Sequence, residues 1–335
     1  VDVLASIAAR QRLRNALRRF FDARGFVEVE TPLLIAANAP EPHIDAVAVD
    51  VGTGSARQRR YLRTSPELAL KRLLAAGADR IYELGRAVRD DDHDATHRVE
   101  FTLLEWYRAN APHRALMDDC DQLLAACCDA FALTGPVTGP AGSCDLRLPA
   151  ERLSVADAFA RHVGIDVTPF LGGDAIGLAA SVRGAGILLP GVDLTPADAD
   201  FERIFLASFL SAVEPHLGLN RPTILDRWPA PLCALARLAP DDPRVALRFE
   251  LYAAGHELAN AFDELVDPVE QRQRFVVAQA ARAAAGRDPY PLDEDFLTAL
   301  AQMPAASGIA LGCERLLMLL TGCTAIEQVA LPFGI

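Results

Sequence analysis

Long hydrophobic runs are missing from this chain of 335 residues: no stretch of 18 or more apolar residues occurs, so no membrane-spanning helix is expected. The N-terminus shows no charged-then-apolar leader pattern and opens as an amphipathic stretch. Lysine is almost absent. Lys71 is the one lysine in a set of 33 basic residues, a usage read as coding bias. The seven cysteines (120, 127, 128, 144, 233, 313 and 323) are odd in number and form no CxxC pair. Free thiols in a reducing cytoplasmic setting are therefore expected, not a disulfide framework or a structural zinc site. His93 and His97 stand four apart, but in an Asp-rich loop without HExxH context, so that spacing is taken as coincidence. Positive charge is also short: 45 acidic against 33 basic residues leave a formal net charge of −12. That sign repels phosphate backbones and disfavours broad nucleic-acid binding.

What remains is an ordinary globular composition, 51% hydrophobic and 23% charged, with material for one large domain or two ordinary ones. The spacing of Ile7, Leu13, Leu17, Phe20 and Phe21 predicts a helix over 3–24 ending at Gly25, and Phe26 to Glu30 alternates as a strand up to Thr31-Pro32. AANAPEPHID (36–45) is a proline-broken loop. Tyr61 to Arg63 reads as a strand. Ser65-Pro66-Glu67 reads as a helix start with Ser as N-cap and Pro as the first helical residue. Ile81 to Arg89 and the segment from Val99 form a hairpin around a polar loop. The stretch 110–220 reads as mostly helix and loop, without recognisable chemistry. Strands return over 222–238 and 246–262, Asp267-Pro268 opens a helix to about Ala284, a further helix spans Asp293 to Met303, and Ser307–Leu311 feeds a helix over Glu314–Leu320. Strands separated by helices in this irregular order predict an α+β fold with an antiparallel β-sheet flanked by helices.

Two constellations stand out. On the second hairpin strand, Val99, Phe101, Leu103, Glu105 and Tyr107 share one face, so Glu105 either lines a pocket that needs negative charge or sits solvated at the rim. In RFELYAAGHELANAFDEL (248–265), a two-residue turn at Ala253-Ala254 sets Glu250 opposite Glu257. Like charges in that relation repel, and a divalent cation would relieve them. The alternative makes Glu257, Asn260 and Glu264 a solvated helical stripe. In the strand reading a bulge is needed to bring Asn260 to the face of Glu257.

Taken together, GFVEVETP (25–32), Arg89 through Phe101, and GIALGCER (308–315) resemble motifs 1, 2 and 3 of class II aminoacyl-tRNA synthetase catalytic domains. The segments TSPE (64–67), EFTLLEWY (100–107) and ELANAF (257–262) are similar to the lysine type. The resemblance is closest to the free-standing lysyl-tRNA-synthetase-like enzymes that attach β-lysine to a lysine of elongation factor P. It covers essentially the whole chain and is weakest over 110–220. It implies a single catalytic domain over 1–335, with motif 1 near 15–32, motif 2 near 85–107 and motif 3 near 307–320, and a homodimer. Only 24 residues precede Gly25, too few for the N-terminal anticodon-binding barrel of the tRNA-charging enzymes, so tRNA is not the expected partner. Ala310, where those enzymes resemble each other in having Gly, points the same way.

The implied reaction joins a carboxylate, ionised below neutral pH with a pKa of about 3.5, to the α-phosphate of ATP. No Ser, Cys or His base is needed, and catalysis becomes positioning plus charge neutralisation. By the resemblance, Arg89 and Arg315 are the catalytic arginines. Arg89, Asp91, His97, Phe101, Glu250 and Arg315 bind ATP, and Glu250 and Glu257 hold Mg2+. Ser65, Glu67, Glu105, Tyr107, Glu257, Asn260, Glu264 and Ala310 form a pocket for lysine or (R)-β-lysine. Several positions depart from the pattern: Arg89-Asp90-Asp91 for Arg-x-Glu, His97-Arg98-Val99-Glu100-Phe101 without its Asn and Pro, Cys313-Glu314 before Arg315, and Ala261 for a glycine. Two further readings stay open: a synthetase paralogue that loads another amino acid onto a carrier, and a catalytically silent regulatory paralogue.

Overall fold

The computed structural model describes residues 3–90, 94–197 and 199–331. Helix α1 (Val3–Asp22) buries Leu13, Leu17, Phe20 and Phe21, while Ile7, expected on the same stripe, remains exposed. Gly25 follows at φ +72°, the left-handed stop that a residue with a Cβ adopts at a cost. The predicted first strand is shorter than expected, β1 (Val27–Glu28). A small sheet of β2 (Leu34–Ile35), β3 (Ala48–Val51) and β4 (Gln58–Leu62) comes next. Helix α2 (Glu67–Ala75) leads to the hairpin of β5 (Arg80–Val88) and β6 (Glu100–Ala109), then to α3 (His113–Ala130).

The stretch read as helix and loop holds strands as well: β7 (Val137–Gly139), β8 (Gly142–Cys144) and β9 (Glu151–Ser154), followed by α4 (Val155–Val163), α5 (Ala175–Gly184) and α6 (Phe201–Ala212). These strands are three or four residues long, too short to show a period of two. The remainder is β10 (Thr223–Pro229), β11 (Val245–Ala253), β12 (His256–Asp263), α7 (Pro268–Ala284), α8 (Glu294–Leu300), β13 (Ala306–Gly312) and α9 (Cys313–Thr321).

The main sheet runs β1-β5-β6-β13-β12-β11-β10-β9. Its six inner strands pair antiparallel, as expected, whereas β1 on β5 and β9 on β10 are parallel. The period of two divides its faces. Leu104, Trp106, Phe249, Leu251, Ile309 and Leu311 enter a core shared with side chains of α1, α3 and α9, each large apolar side chain contributing about 1.5–3 kcal/mol on burial. Glu105, Tyr107, Arg248 and Glu250 point the other way. A second core joins α4–α6 to β10 and β11, and a third gathers α2, α7 and α8. The seven cysteines are free thiols, all but Cys323 buried.

Glu314 ties three distant segments. Its carboxylate takes a 2.9 Å ion pair from Arg10 of α1 and the Thr102 N–H of β6 at 2.9 Å. At the back of the sheet His113 lies between Asp226 (3.4 Å) and Asp263 (3.5 Å). Burial opposes its charge, but the two carboxylates outweigh burial and raise its pKa to about 9. A histidine raised in the fold stabilises fully below its unfolded value of about 6.5 and loses that contribution as pH climbs through the folded value. His113→Gln is therefore expected to lower the melting temperature most at pH 6. The gap to the parent should close between pH 6.5 and about 9; a gap independent of pH would show that His113 is not charged in the fold.

Candidate active site

Register across the sheet assembles the site. Glu105 on β6 lies opposite Ala310 on β13, Ala310 opposite Asn260 on β12, and Asn260 opposite Glu250 on β11. In the next row Tyr107, Gly308, Phe262 and Arg248 align likewise. The small residues of β13 make room. A Cβ on Gly308 would sit 2.1 Å from a Tyr107 ring carbon and 2.6 Å from Glu264 Oε1. Ala310 and Asn260 of the first row and Phe262 of the second line a cavity of about 730 Å³ that also takes in Glu41, Ser65, Glu67, Arg89, Phe101 and Arg315.

At one end carboxylates crowd together. Glu105 is 1% exposed. Its Oε1 accepts the Tyr107 hydroxyl at 2.7 Å and its Oε2 the Ser65 hydroxyl at 2.8 Å. Glu105 is therefore not solvated at a rim. Because Ser65 donates to Glu105 while accepting the Glu67 N–H at 3.0 Å, it sits just outside α2, which starts at Glu67 and not at Pro66. One turn on, Lys71 is wholly buried. Its ammonium is hydrogen-bonded to Glu67 and 2.6 Å from Glu264 Oε2, while Glu264 Oε1 has no hydrogen-bond partner among the described residues. Burial would discharge this lysine, but Glu264 and Glu67 outweigh burial and raise its pKa. Glu105 and Glu264 are pushed up to about 8, by burial first; Glu67 adds repulsion to both. Ser65, Glu67, Glu257, Asn260 and Ala310 line the cavity, whereas Glu105, Tyr107 and Glu264 lie just beneath its floor.

Two arginines also line the cavity, Arg89 beside the Ser65 segment and Arg315 beside Glu257. The Arg89 Nε donates to the Thr64 carbonyl at 3.3 Å, and its guanidinium lies 5.3 Å from the Phe101 ring centre. Arg315, in the first turn of α9, donates to the Glu257 carbonyl at 2.9 Å and lies 3.8 Å from the Glu257 carboxylate. It also touches His97, whose Nδ1 is 2.8 Å from Asp94. Asp91 and His93 lie outside the described residues.

The predicted face-off of Glu250 and Glu257 is not what the fold makes. The turn falls at Ala254-Gly255, with φ +52° and +83°, one residue later than expected. Tyr252 opposes Glu257, Leu258 is squeezed out as a bulge, and Glu250 opposes Asn260. The bulge does bring Glu257 and Asn260 to one face. Glu250 is neutralised from within the protein, by the Arg248 guanidinium and the Tyr252 hydroxyl at 2.5 Å. Burial still raises its pKa, to about 7, with Glu257 repelling and Arg248 opposing. Among the described residues no group of three or more His, Cys, Asp or Glu side chains converges as a metal cage.

Sequence reasoning missed Lys71, Arg248 and Glu41. The first stands four residues after Glu67 on a helix and the second two before Glu250 on a strand, spacings that could have flagged both. The stretch over 110–220 also reaches the site: Glu202 pairs with His43 at 2.9 Å, and half-buried Glu214 feels both Glu257 and Arg315.

A family model described as tRNA synthetases class II (D, K and N) matches residues 2–333. The chain belongs to that family. Within it, the chain is similar to proteins named elongation factor P–(R)-beta-lysine ligase. The one from Proteus mirabilis is 37% identical over 97% of this chain and 94% of the relative. That of Edwardsiella ictaluri is 38% identical over the same shares, and that of Erwinia tasmaniensis 40% over 94% and 91%.

Removing the ammonium at the centre of this cluster leaves Glu67 and Glu264 buried against each other. Lys71→Met is expected to cost about 3–5 kcal/mol, the usual penalty for orphaning buried partners, measured by denaturant unfolding at pH 8. A loss under 1 kcal/mol would show that the ammonium does not hold the cluster.

Proposed function

We propose that this chain is an ATP-dependent ligase that activates (R)-β-lysine, or lysine, as an aminoacyl-adenylate and transfers it to a lysine of elongation factor P. The observation that carries this reading is the excess of buried carboxylate, Glu67, Glu105 and Glu264 around a single lysine, against a cleft that Arg89 and Arg315 also line. The names and coverage of the relatives support the same substrate pair.

In this mechanism the substrate carboxylate attacks the α-phosphorus of ATP and pyrophosphate leaves. The acceptor amine then attacks the adenylate carbonyl and AMP leaves. Arg89 spans the carboxylate and the α-phosphate with its planar fork. Arg315 holds the γ-phosphate end and covers one face of the adenine, Phe101 covers the other, and Asp91 and His97 complete the nucleotide contacts. Glu105, Tyr107 and Glu264 receive the remote ammonium, with Ser65 orienting Glu105. Glu67, Glu257 and Asn260 face the rest of the amino acid over Ala310. Glu250 and Glu257 would hold Mg2+, which would neutralise the phosphates. Glu257 lines the cleft whereas Glu250 is engaged by Arg248, a donor set that fits an ion arriving with the nucleotide, since Mg2+ keeps its waters and leans on substrate phosphates.

We assign the working form as a homodimer formed around the motif 1 segment, where Val27, Leu33 and Leu34 expose apolar surface. The protein would act in the cytoplasm, and among the described residues no helix is long and apolar enough to cross a membrane.

Pyrophosphate exchange with lysine, (R)-β-lysine and a panel of amino acids tests the activation step, and mass analysis of elongation factor P tests transfer. Exchange with none, or only with a non-basic amino acid, overturns the proposal. Glu105→Gln and Glu264→Gln are each expected to abolish exchange with both lysines while ATP binding persists. The pH dependence has a definite sign. Carboxyls raised to about 8 hold protons that an ammonium ligand must displace, so binding releases protons. The KM for the amino acid should rise as pH falls below about 8, while the KM for ATP should stay flat until pH nears 7, where Glu250 takes up its proton.

A further inference from the structure

A second chamber of about 260 Å³ adjoins the main cavity, and the two share Glu41, Ser65 and Glu67 on their walls. Glu41 stands in the proline-broken loop, between Pro40 and Pro42. That loop is held from the far side of the cleft. The fully buried Arg282 of α7 donates to the carbonyls of Glu41 at 2.7 Å and Ile44 at 2.8 Å and to the Asp45 carboxylate at 2.6 Å. Arg282 also stacks 4.1 Å from the Tyr290 ring centre, and the Tyr290 hydroxyl accepts the Ala46 N–H at 2.6 Å. Such a frame fixes the Glu41 backbone while leaving its side chain to the cavity.

The half-buried Glu41 carboxylate has no hydrogen-bond or ion-pair partner among the described residues. Burial first, then repulsion from Glu67, raises its pKa against the pull of Arg89, Arg248 and Lys71. All three cations are committed elsewhere: Lys71 to Glu67 and Glu264, Arg248 to Glu250 and Asn260, Arg89 to Thr64 and Phe101. A partly desolvated carboxylate without a cation is costly, and a ligand that brings one recovers that cost. An amino acid whose remote ammonium lies over Glu105 and Glu264, and whose carboxylate lies at Arg89, has its second amine between them. The wall there is Glu67 and Glu41.

Building on the ligase reading above, we propose that Glu41 is a specificity-determining residue that binds the substrate amine nearest the carboxylate and, with Glu67, sets the choice between an amine on Cα and one on Cβ. A β-amine stands one carbon further from the carboxylate than an α-amine, so the two amines divide differently between Glu67 and Glu41.

The test is pyrophosphate exchange by the parent and by Glu41→Gln, an isosteric change that removes the charge. The substrates are lysine and (R)-β-lysine, with 6-aminohexanoate, which lacks the second amine, as competitor. The variant should raise the KM for both lysines tenfold or more and change the ratio of their kcat/KM at least threefold. The KM for ATP, the inhibition constant of 6-aminohexanoate and the melting temperature should stay at parental values, and Glu41→Asp should recover part of the loss. Unchanged KM values in Glu41→Gln overturn the inference, as does weakened 6-aminohexanoate binding, which would place Glu41 at the remote ammonium. Intact exchange with impaired transfer to elongation factor P also overturns it, by assigning Glu41 to the acceptor. A parent that exchanges with neither lysine defeats the ligase reading itself, a result separable from all of these.

Discussion

Uncompensated negative charge beneath the floor of the cleft is the constraint on which the rest of the structure depends. Glu67 and Glu264 share one ammonium, Lys71, and Glu105 is buried within electrostatic reach of both Glu67 and that ammonium, with Glu67 alone facing the cleft. Coulomb repulsion falls only slowly with distance in such a medium, so carboxylates there persist by hydrogen bonds, by proton uptake or by a bound cation. The first device is visible at Glu105, with its serine and tyrosine donors, and the second in the raised pKa values of Glu105 and Glu264. The third is what a dibasic ligand supplies, which is why we read this end of the cleft as selecting ammonium groups.

Holding such a cluster demands rigid surroundings. The sheet supplies them through register, since a slip of one residue would send Glu105 and Glu250 into the hydrophobic core. Gly308 of β13 keeps the floor thin enough for Tyr107 and Glu264 to lie against it. Glu314 binds α1 to β6 from the start of α9, so a helix and a strand far apart in the chain are joined by one carboxylate. Across the cleft, Arg282 and Tyr290 hold the 41–46 loop by its carbonyls and amide, a job suited to a guanidinium with several fixed donors.

How much of this was legible differs from residue to residue. The alternation around Glu105 placed it correctly on the face of Phe101, Leu103 and Tyr107, because one strand is enough to define a face. The sequence pattern sets Glu250 opposite Glu257 because it puts the turn one residue early. Two consecutive residues of positive φ, Ala254 and Gly255, and the Leu258 bulge decide that register, and neither leaves a periodic trace. Lys71 was seen only as an oddity of composition. Its importance comes from Glu264, nearly 200 positions away along the chain.

Local order thus settled what local physics controls: the helix ending at Gly25, the cap at Asp267 (which accepts the Val269 and Glu270 N–H groups), the hairpin that carries Arg89, and the acidic and basic residue types of a site for charged ligands. Tertiary structure alone decided which charges meet. Ion pairs such as Lys71 with Glu264, Arg10 with Glu314 and Arg282 with Asp45 join strands, helices and loops whose mutual placement rests on sheet register and core packing. Those are properties of the whole fold, and no window of the sequence contains them.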